Sequence, residues 1–338
     1  MSRCFVRTTG LVCPVGLTAP TACAAIRCAL NVAQELDFED EQGEPYYASM
    51  MPDLEPGLSG RERVLALLAR TLNQAVAPAR YGRPVAVFVV LPSSFANADL
   101  SRVLPNLVGR FESPVALDAS RVFVGGPVTS FEALAHAQAV LATGQVAGCV
   151  VAAADSFVSP LRLLELERVG RLRRPHDPDG VIPGEAAACL LLDRYPERAL
   201  ACLGAPGFGL EPATLWNDEP HRGDGLLEAA TNALAACGYD LADMDTRISD
   251  AAGESFDFNE QALLVSRRLE RRKHSFPLLL PGGVLGEIGV AGPLCGVAKA
   301  VATYQRRYAA GPRTIVFARD HHGPRGAVIV ESTQGGQQ

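Results

Sequence analysis

The stretch Val85-Ala86-Val87-Phe88-Val89-Val90-Leu91 is apolar at every position. A strand with one wet face alternates apolar and polar side chains, so an unbroken run of this kind is buried on both faces. Residues 149–154 and 187–192 share the property. A sheet buried on both faces needs helices on both sides, and the intervening segments have helical spacing. Across residues 61–77, Val64, Leu65, Leu68, Leu72 and Val76 fall on one helical face. Residues 131–143 are rich in Ala, carry Leu134 and Leu141, and run into Gly144, a residue suited to a helix C-cap. The second half repeats the style. It offers a short strand at 201–203, helices at 225–237, 259–273 and 286–305, a strand at 314–318 and a hairpin partner at 326–331. Strand–helix alternation predicts an α/β layered fold. The Pro/Arg stretch 195–198 is the expected seam between residues 1–198 and 199–333.

Composition narrows the functional classes. The 338 residues are 48% hydrophobic and 20% charged, which provides ample apolar material for a core. The formal charge of −6 supplies no basic field for nucleic acid. The basic runs 171–174 and 267–273 are short, and the second reads as a solvated helix C-terminus. The apolar run 146–154 is far shorter than the ~20 residues of a membrane span. Arg3 and Arg7 interrupt the only apolar start, unlike a signal peptide. Nine cysteines lie scattered without Cys-x-x-Cys spacing, mostly in apolar contexts. Buried reduced thiols are expected, and with them a cytoplasmic setting. Residues 334–338 are expected to be a disordered tail.

Four stretches together resemble the β-ketoacyl synthases, a thiolase-fold family. Gly10-Leu11-Val12-Cys13-Pro14-Val15-Gly16 looks like the family's opening strand and turn. Residues 133–156, ending Ala153-Ala154-Asp155-Ser156, look like the helix after the nucleophile and the following strand. Arg174-Pro175-His176-Asp177-Pro178-Asp179-Gly180-Val181-Ile182-Pro183-Gly184-Glu185-Ala186-Ala187 is close to the family's Arg-Pro-Phe-Asp…Asp-Gly…Pro-Gly-Glu-Gly-Ala pattern and is the most specific of the four. Gly286-Glu287-Ile288-Gly289-Val290-Ala291-Gly292 is similar to its Gly-His…Ala-Ala-Gly motif. The resemblance implies two similar βαβαβ-type halves forming a five-layer αβαβα body, usually a homodimer. Arg121-Val122-Phe123-Val124 would then be the dimer strand.

The resemblance also places the chemistry, and each position has changed type. Condensation needs a thiolate to carry the acyl group, imidazoles to stabilise the enolate and backbone N–H donors for the oxyanion. The nucleophile position falls on Pro127, within Gly125-Gly126-Pro127-Val128-Thr129-Ser130. Proline brings neither sulfur nor an N–H. It is expected at the first helical position, with Gly126 as cap. The first histidine position falls on Ser249 or Asp250, the second on Glu287 and the lysine on Gly282. Asp250 and Glu254 could form an acid/base pair, or a loop carboxylate could cap the helix from Asn259. A desolvated Glu287 could act as a base. The family's Gly-Phe-Gly-Gly gate corresponds to Asp320-His321-His322-Gly323, where the histidines are expected at the surface or a pocket rim without a metal. Ser130 and Thr129 are the only nearby hydroxyls, and no positioned base accompanies them.

These positions imply a body that has lost condensation, with no cofactor and a protein partner. Stand-alone degenerate thiolase-like proteins of this kind resemble those encoded beside type VI secretion effectors and adaptors in Gram-negative bacteria, which implies a chaperone or loading role. Two other readings stay open. One is a non-elongating, chain-length-factor-like partner of an active ketosynthase. The other is an acyl-thioester enzyme using Asp250, Glu254, Glu287 or Ser130.

Overall fold

The computed structural model describes residues 3–40, 43–55, 57–58, 60–76, 83–109, 111, 114–174 and 177–333. Pro175 and His176 of the motif above, Ala77 and the Val76 side chain of the first helix, and the tail 334–338 lie outside the described residues.

In chain order the elements are β1 (Cys4–Val12), α1 (Ala19–Arg27), β2 (Gln34–Glu39), β3 (Pro45–Ala48), α2 (Gly60–Val76), β4 (Val85–Pro92), α3 (Val103–Val108), β5 (Arg121–Gly125), α4 (Thr129–Thr143), β6 (Gly148–Ser156), α5 (Pro160–Arg168) and β7 (Glu185–Asp193). Then come β8 (Ala201–Leu203), β9 (Gly207–Leu210), α6 (Asp224–Cys237), β10 (Thr246–Ile248), α7 (Ser255–Arg268), β11 (Leu278–Leu279), α8 (Gly282–Leu285), α9 (Gly292–Gln305), β12 (Arg313–Arg319) and β13 (Pro324–Ser332). No helix among the described residues is long and apolar enough to cross a membrane.

The strands order as β11-β10-β12-β13-β8-β1-β7-β6-β4-β5, with β9 on β13; β2 and β3 form a separate hairpin. β1 joins the two halves by pairing antiparallel with β7 on one side and β8 on the other. The layers follow from helix contacts. α2 covers β1, β6 and β7 from outside; α4 and α9 lie between the halves, touching β4, β6 and β7 on one side and β12 and β13 on the other. α6 covers β9 and β13 on the far side and packs against α7. The result is the five-layer thiolase architecture.

This layering explains the apolar runs. On β4, Ala86, Phe88 and Val90 face the central layer, while Val87, Val89 and Leu91 face α2. On β12, Val316 and Ala318 face the central layer, while Ile315 and Phe317 face α6 and α7. Each side chain has a core to enter, so no polar alternation is possible. α9 lies between two sheets and is buried from Gly292 to Tyr304 without interruption, as befits a helix apolar all round.

Several expected boundaries shift. The helix expected at 259–273 is α7, Ser255–Arg268: its start is capped by Asp179, whose oxygens accept from Ser255 N and Oγ at 2.6 Å each. Glu254 stands at the N-cap position but makes no side-chain cap. Residues 286–288 are not helical and 289–291 form only a 3₁₀ turn, because Gly286 has φ 75° and breaks the run before α9. Pro127 is not the first helical residue either. α4 opens at Thr129 after tight i→i+3 bonds from Thr129 N to Gly126 O and Ser130 N to Pro127 O, both 3.1 Å.

The Pro183-Gly184-Glu185 turn is the structural hub. Glu185 is fully buried and accepts from Arg63 Nε and Nη2 at 2.6 Å each, from Met51 N at 2.7 Å and from Ser156 Oγ at 2.8 Å. It ties α2, the loop before it, β6 and β7 together. Gly184 is required because a Cβ there would meet Leu285 O at 2.0 Å. Removing one partner of such a pair leaves a buried charge alone. Glu185→Ala is expected to lower unfolding free energy by about 3–5 kcal/mol, measured by urea denaturation.

Candidate functional site

In parallel α/β sheets, side chains with chemistry gather at the carboxyl ends of strands. Here the ends of β10 and β12 and the loops beside them converge on one buried ionic cluster. The residues after β10 bring Asp250 and Glu254, the first turns of α7 bring Asp257, and the segment before α9 brings Glu287. β12 ends in Arg319, the next turn carries His321, and Arg171 enters from the loop after α5.

The contacts are dense. Arg171 grips Glu254 bidentately, Nε to Oε1 and Nη2 to Oε2, both 2.7 Å. Arg319 Nη2 lies 2.7 Å from Asp257 Oδ2, and Arg319 N donates to Asp250 Oδ2 at 3.0 Å. Both guanidiniums aim at His321 Nε2, Arg171 Nη2 at 2.5 Å and Arg319 Nη1 at 2.9 Å. That nitrogen is therefore an acceptor, and the ring proton sits on Nδ1. Glu287 Oε2 faces Arg171 Nη2 at 3.6 Å and Arg319 Nη2 at 3.7 Å, while Oε1 accepts from Gly289 N at 2.9 Å.

Two guanidiniums face four carboxyls in a space closed to water. Burial resolves the excess by favouring protons on two of them: Asp257 is pushed well above the carboxylate range, and Asp250 up to about 6, in both cases against the pull of Arg319. Glu287 goes the other way. Burial raises its pKa, but the charges of Arg319 and Arg171 outweigh it and hold the carboxylate well below its usual range. A carboxylate held ionised this firmly is a poor general base at neutral pH. Burial, and then the charge of Arg319, pushes His321 down to about 4. Nearby on β6, burial raises Asp155 to about 6.

The structure brings together only some of the sequence-selected positions. Asp250 and Glu287 join the cluster. Ser249 is buried and accepts from Ala251 N at 3.2 Å. Gly282 lines a small cleft of about 260 Å³ with Ile182, Phe258, Val284 and Gly286, below the ~300–1,000 Å³ of typical ligand pockets. His322 is exposed and stacks on Trp216, ring centroids 4.7 Å apart. Gly323 O accepts from Glu211 N at 2.8 Å. His321 departs from the expected rim position: Trp216 lies edge-on at 6.3 Å, and the side chain keeps 13% exposure. The expectation of no remote ligands beside it also fails, since its Nε2 lies within 4.8 Å of oxygens of Glu254 and Glu287. The two guanidiniums already fill the place a cation would take there.

At the start of α4, Pro127 faces no thiol. Cys149, the nearest cysteine in sequence, is fully buried on β6, its Sγ 3.6 Å from Ala137 O, and burial pushes the thiol up to about 12. Gly126 is pressed against the carboxylate of Asp320, where a Cβ would come within 1.7 Å of Oδ2. Ser130 is fully buried and donates to Val290 O at 2.6 Å, so its hydroxyl is committed. Among the described residues β5 ends the sheet and pairs with β4 alone, leaving Val122, Phe123 and Val124 half-buried on its edge.

Searches found no matching family model and no matching curated protein. Solved structures do match. The oxazolomycin ketosynthase domain of Streptomyces albus superposes with TM-score 0.77 at 15% identity, covering 100% of this chain and 77% of that one. A type II polyketide ketosynthase, solved with its acyl-carrier protein, gives 0.82 at 12% identity over 98% and 99% of the two chains. A ketosynthase in complex with its chain length factor, from Xenorhabdus doucetiae, gives 0.75 at 16% identity over 98% of each.

The fold is that of the ketosynthases. Within this ketosynthase-like body, the arginines and the α7 acids were not legible as site residues. Arg171 belongs to a short basic run, 171–174, that carries no site motif, and Arg319 ends an apolar strand. A charged residue closing such a strand was the one available signal. The neutral His321 gives the cluster a pH signature. Its folded pKa lies below the unfolded value of 6.5, so its contribution to stability is full above 6.5 and is lost as pH falls toward 4. Asp155 and Asp250 slope oppositely in part of this window, since raised carboxyl pKa values lose stability as pH rises from about 4 to 6. In urea titrations, His321→Gln should remove the histidine slope alone. Wild type should then lose up to about 1.4 kcal/mol per pH unit relative to the variant between pH 6.5 and 4.

Proposed function

We propose that this protein is a ketosynthase-fold body that no longer condenses acyl groups and acts by binding another protein. One observation carries the reading. The positions that the resemblance assigns to a thiolate and two imidazoles hold Pro127, Ser249 or Asp250, and Glu287, and Asp250 and Glu287 are locked with Arg171 and Arg319 in one buried ionic cluster. Lost covalent nucleophiles lower rates by on the order of 10⁶, and a lost oxyanion donor by a further ~10²–10³. Ser130 offers no replacement, because its hydroxyl is buried and bonded to backbone.

The binding body is a cytoplasmic homodimer joined along the open edge of β5. Its partner is a secretion effector or adaptor of a bacterial type VI system, which the protein holds before loading. This choice rests on the resemblance to degenerate thiolase-like proteins of such loci. A second reading, a chain-length-factor-like subunit of an active ketosynthase, draws support from similar structures described as a ketosynthase with its chain length factor.

Intact-mass spectrometry after incubation with acyl-CoA and acyl-carrier protein thioesters tests the loss of chemistry. No covalent adduct is expected, and an acyl adduct on any side chain would overturn the proposal. Light scattering on the purified protein separates the two partner readings. A stable two-chain particle with no affinity for acyl-carrier protein supports the accessory role, whereas a monomer that pairs with a ketosynthase supports the second.

A further inference from the structure

A second buried cluster lies beyond the Arg171–Arg319 cluster, where the loop after β9 crosses the starts of α6 and α7. Glu211, His221 and Glu260 each present one ligand atom there, all within 4.8 Å of one another. Glu211 is 2% exposed. Its Oε2 accepts from Gly225 N at 2.8 Å, at the N-terminus of α6. Its Oε1 is buried with no hydrogen-bond partner, and so is His221 Nε2. Glu260, 1% exposed, lies against Arg325, whose Nε reaches its two oxygens at 2.8 and 3.0 Å. The imidazole is held in orientation by stacking on Phe256, centroids 3.8 Å apart and planes 7° apart.

Buried polar atoms without partners are uncommon, and a charged one is costlier than a neutral one. Here two orphaned atoms border the same space. Two carboxylates face one guanidinium and one helix N-terminus, which leaves negative charge uncompensated. Metal–ligand bonds near 2.1 Å place ligand atoms roughly 3–4 Å apart, within the spacing seen here. One imidazole and two carboxylates suit a first-row divalent ion better than Ca²⁺ or Mg²⁺, which prefer oxygen alone. The second shell is present too. His221 Nδ1 lies 3.3 Å from the Asn259 side-chain amide. With that amide turned so that its oxygen accepts from Nδ1–H, the Nε2 lone pair is free to ligate.

We propose that Glu211, His221 and Glu260 form a binding site for a divalent transition-metal ion of the Zn²⁺ class. The ion would staple the 211–223 loop, which carries Trp216, to α7. Trp216 in turn covers the His321–His322 turn, so the metal would fix the lid over the ionic cluster.

The probe is Zn²⁺ titrated calorimetrically into chelator-stripped full-length protein, with Co²⁺ absorption as a second readout that needs no variant. One equivalent should bind, and Co²⁺ should give a visible d–d band that Zn²⁺ bleaches. Binding should vanish in His221→Ala and Glu211→Gln, persist in His321→Gln, and weaken about 10–100-fold in Asn259→Ala. Three results would overturn the site: no stoichiometric Zn²⁺ binding, no Co²⁺ band, or binding that survives both ligand variants. In the first two cases the space holds only water.

Discussion

Two buried guanidiniums, those of Arg171 and Arg319, hold the centre of this molecule in its present state. Each arrives from a different half-sheet or its loops; Arg171 pairs with Glu254 and Glu287, and Arg319 with Asp250, Asp257 and Glu287. The imidazole of His321 accepts from both. A cluster of this kind resists piecemeal change, because each group neutralises or satisfies several others. Its position at the carboxyl ends of β10 and β12 is where this fold places reactive groups, so the space that chemistry would use is filled with charge pairs. Any side chain at position 127 would lie beside Gly126, which is pressed against the Asp320 carboxylate.

Structure and partner binding connect through what the cluster does to the surface. The acids are buried, and Trp216 and His322 stack at the turn that carries His321. The other open feature, the β5 edge, lies at the end of the sheet and is formed by backbone and half-covered Val and Phe side chains.

Much of the fold was legible in the sequence because each strand sits between two helix layers. That arrangement forces continuous apolar runs such as 85–91, which no surface strand could mimic. β1 was only half visible, since Arg7, Thr8 and Thr9 break its apolar pattern. Arg7 instead reaches Asp193 and the backbone of residues 195 and 197. β2 and β3 were missed because β2, Gln34–Glu39, is exposed along nearly its whole length. Asp250 and Glu287 were singled out from motif register, and both join the cluster. The arginines and Asp257 were not, because ion pairs between residues far apart in sequence leave no local periodicity. Gly286 escaped for a simpler reason: a small residue among small residues does not announce a left-handed turn.

The position of β1 has a consequence for biosynthesis. The strand closest to the start of this sequence ends up in the interior of the sheet, with Phe5 opposite both Asp193 and Cys202. A ribosome adding about 5–20 residues per second must work for roughly 10–40 seconds before either neighbour emerges. Throughout that interval both long edges of the strand lack their partners, the condition that invites pairing with a wrong chain. Cells making this protein would therefore be expected to shield the nascent segment, and slowing translation should lengthen the window in which a holdase such as a ribosome-bound chaperone is needed.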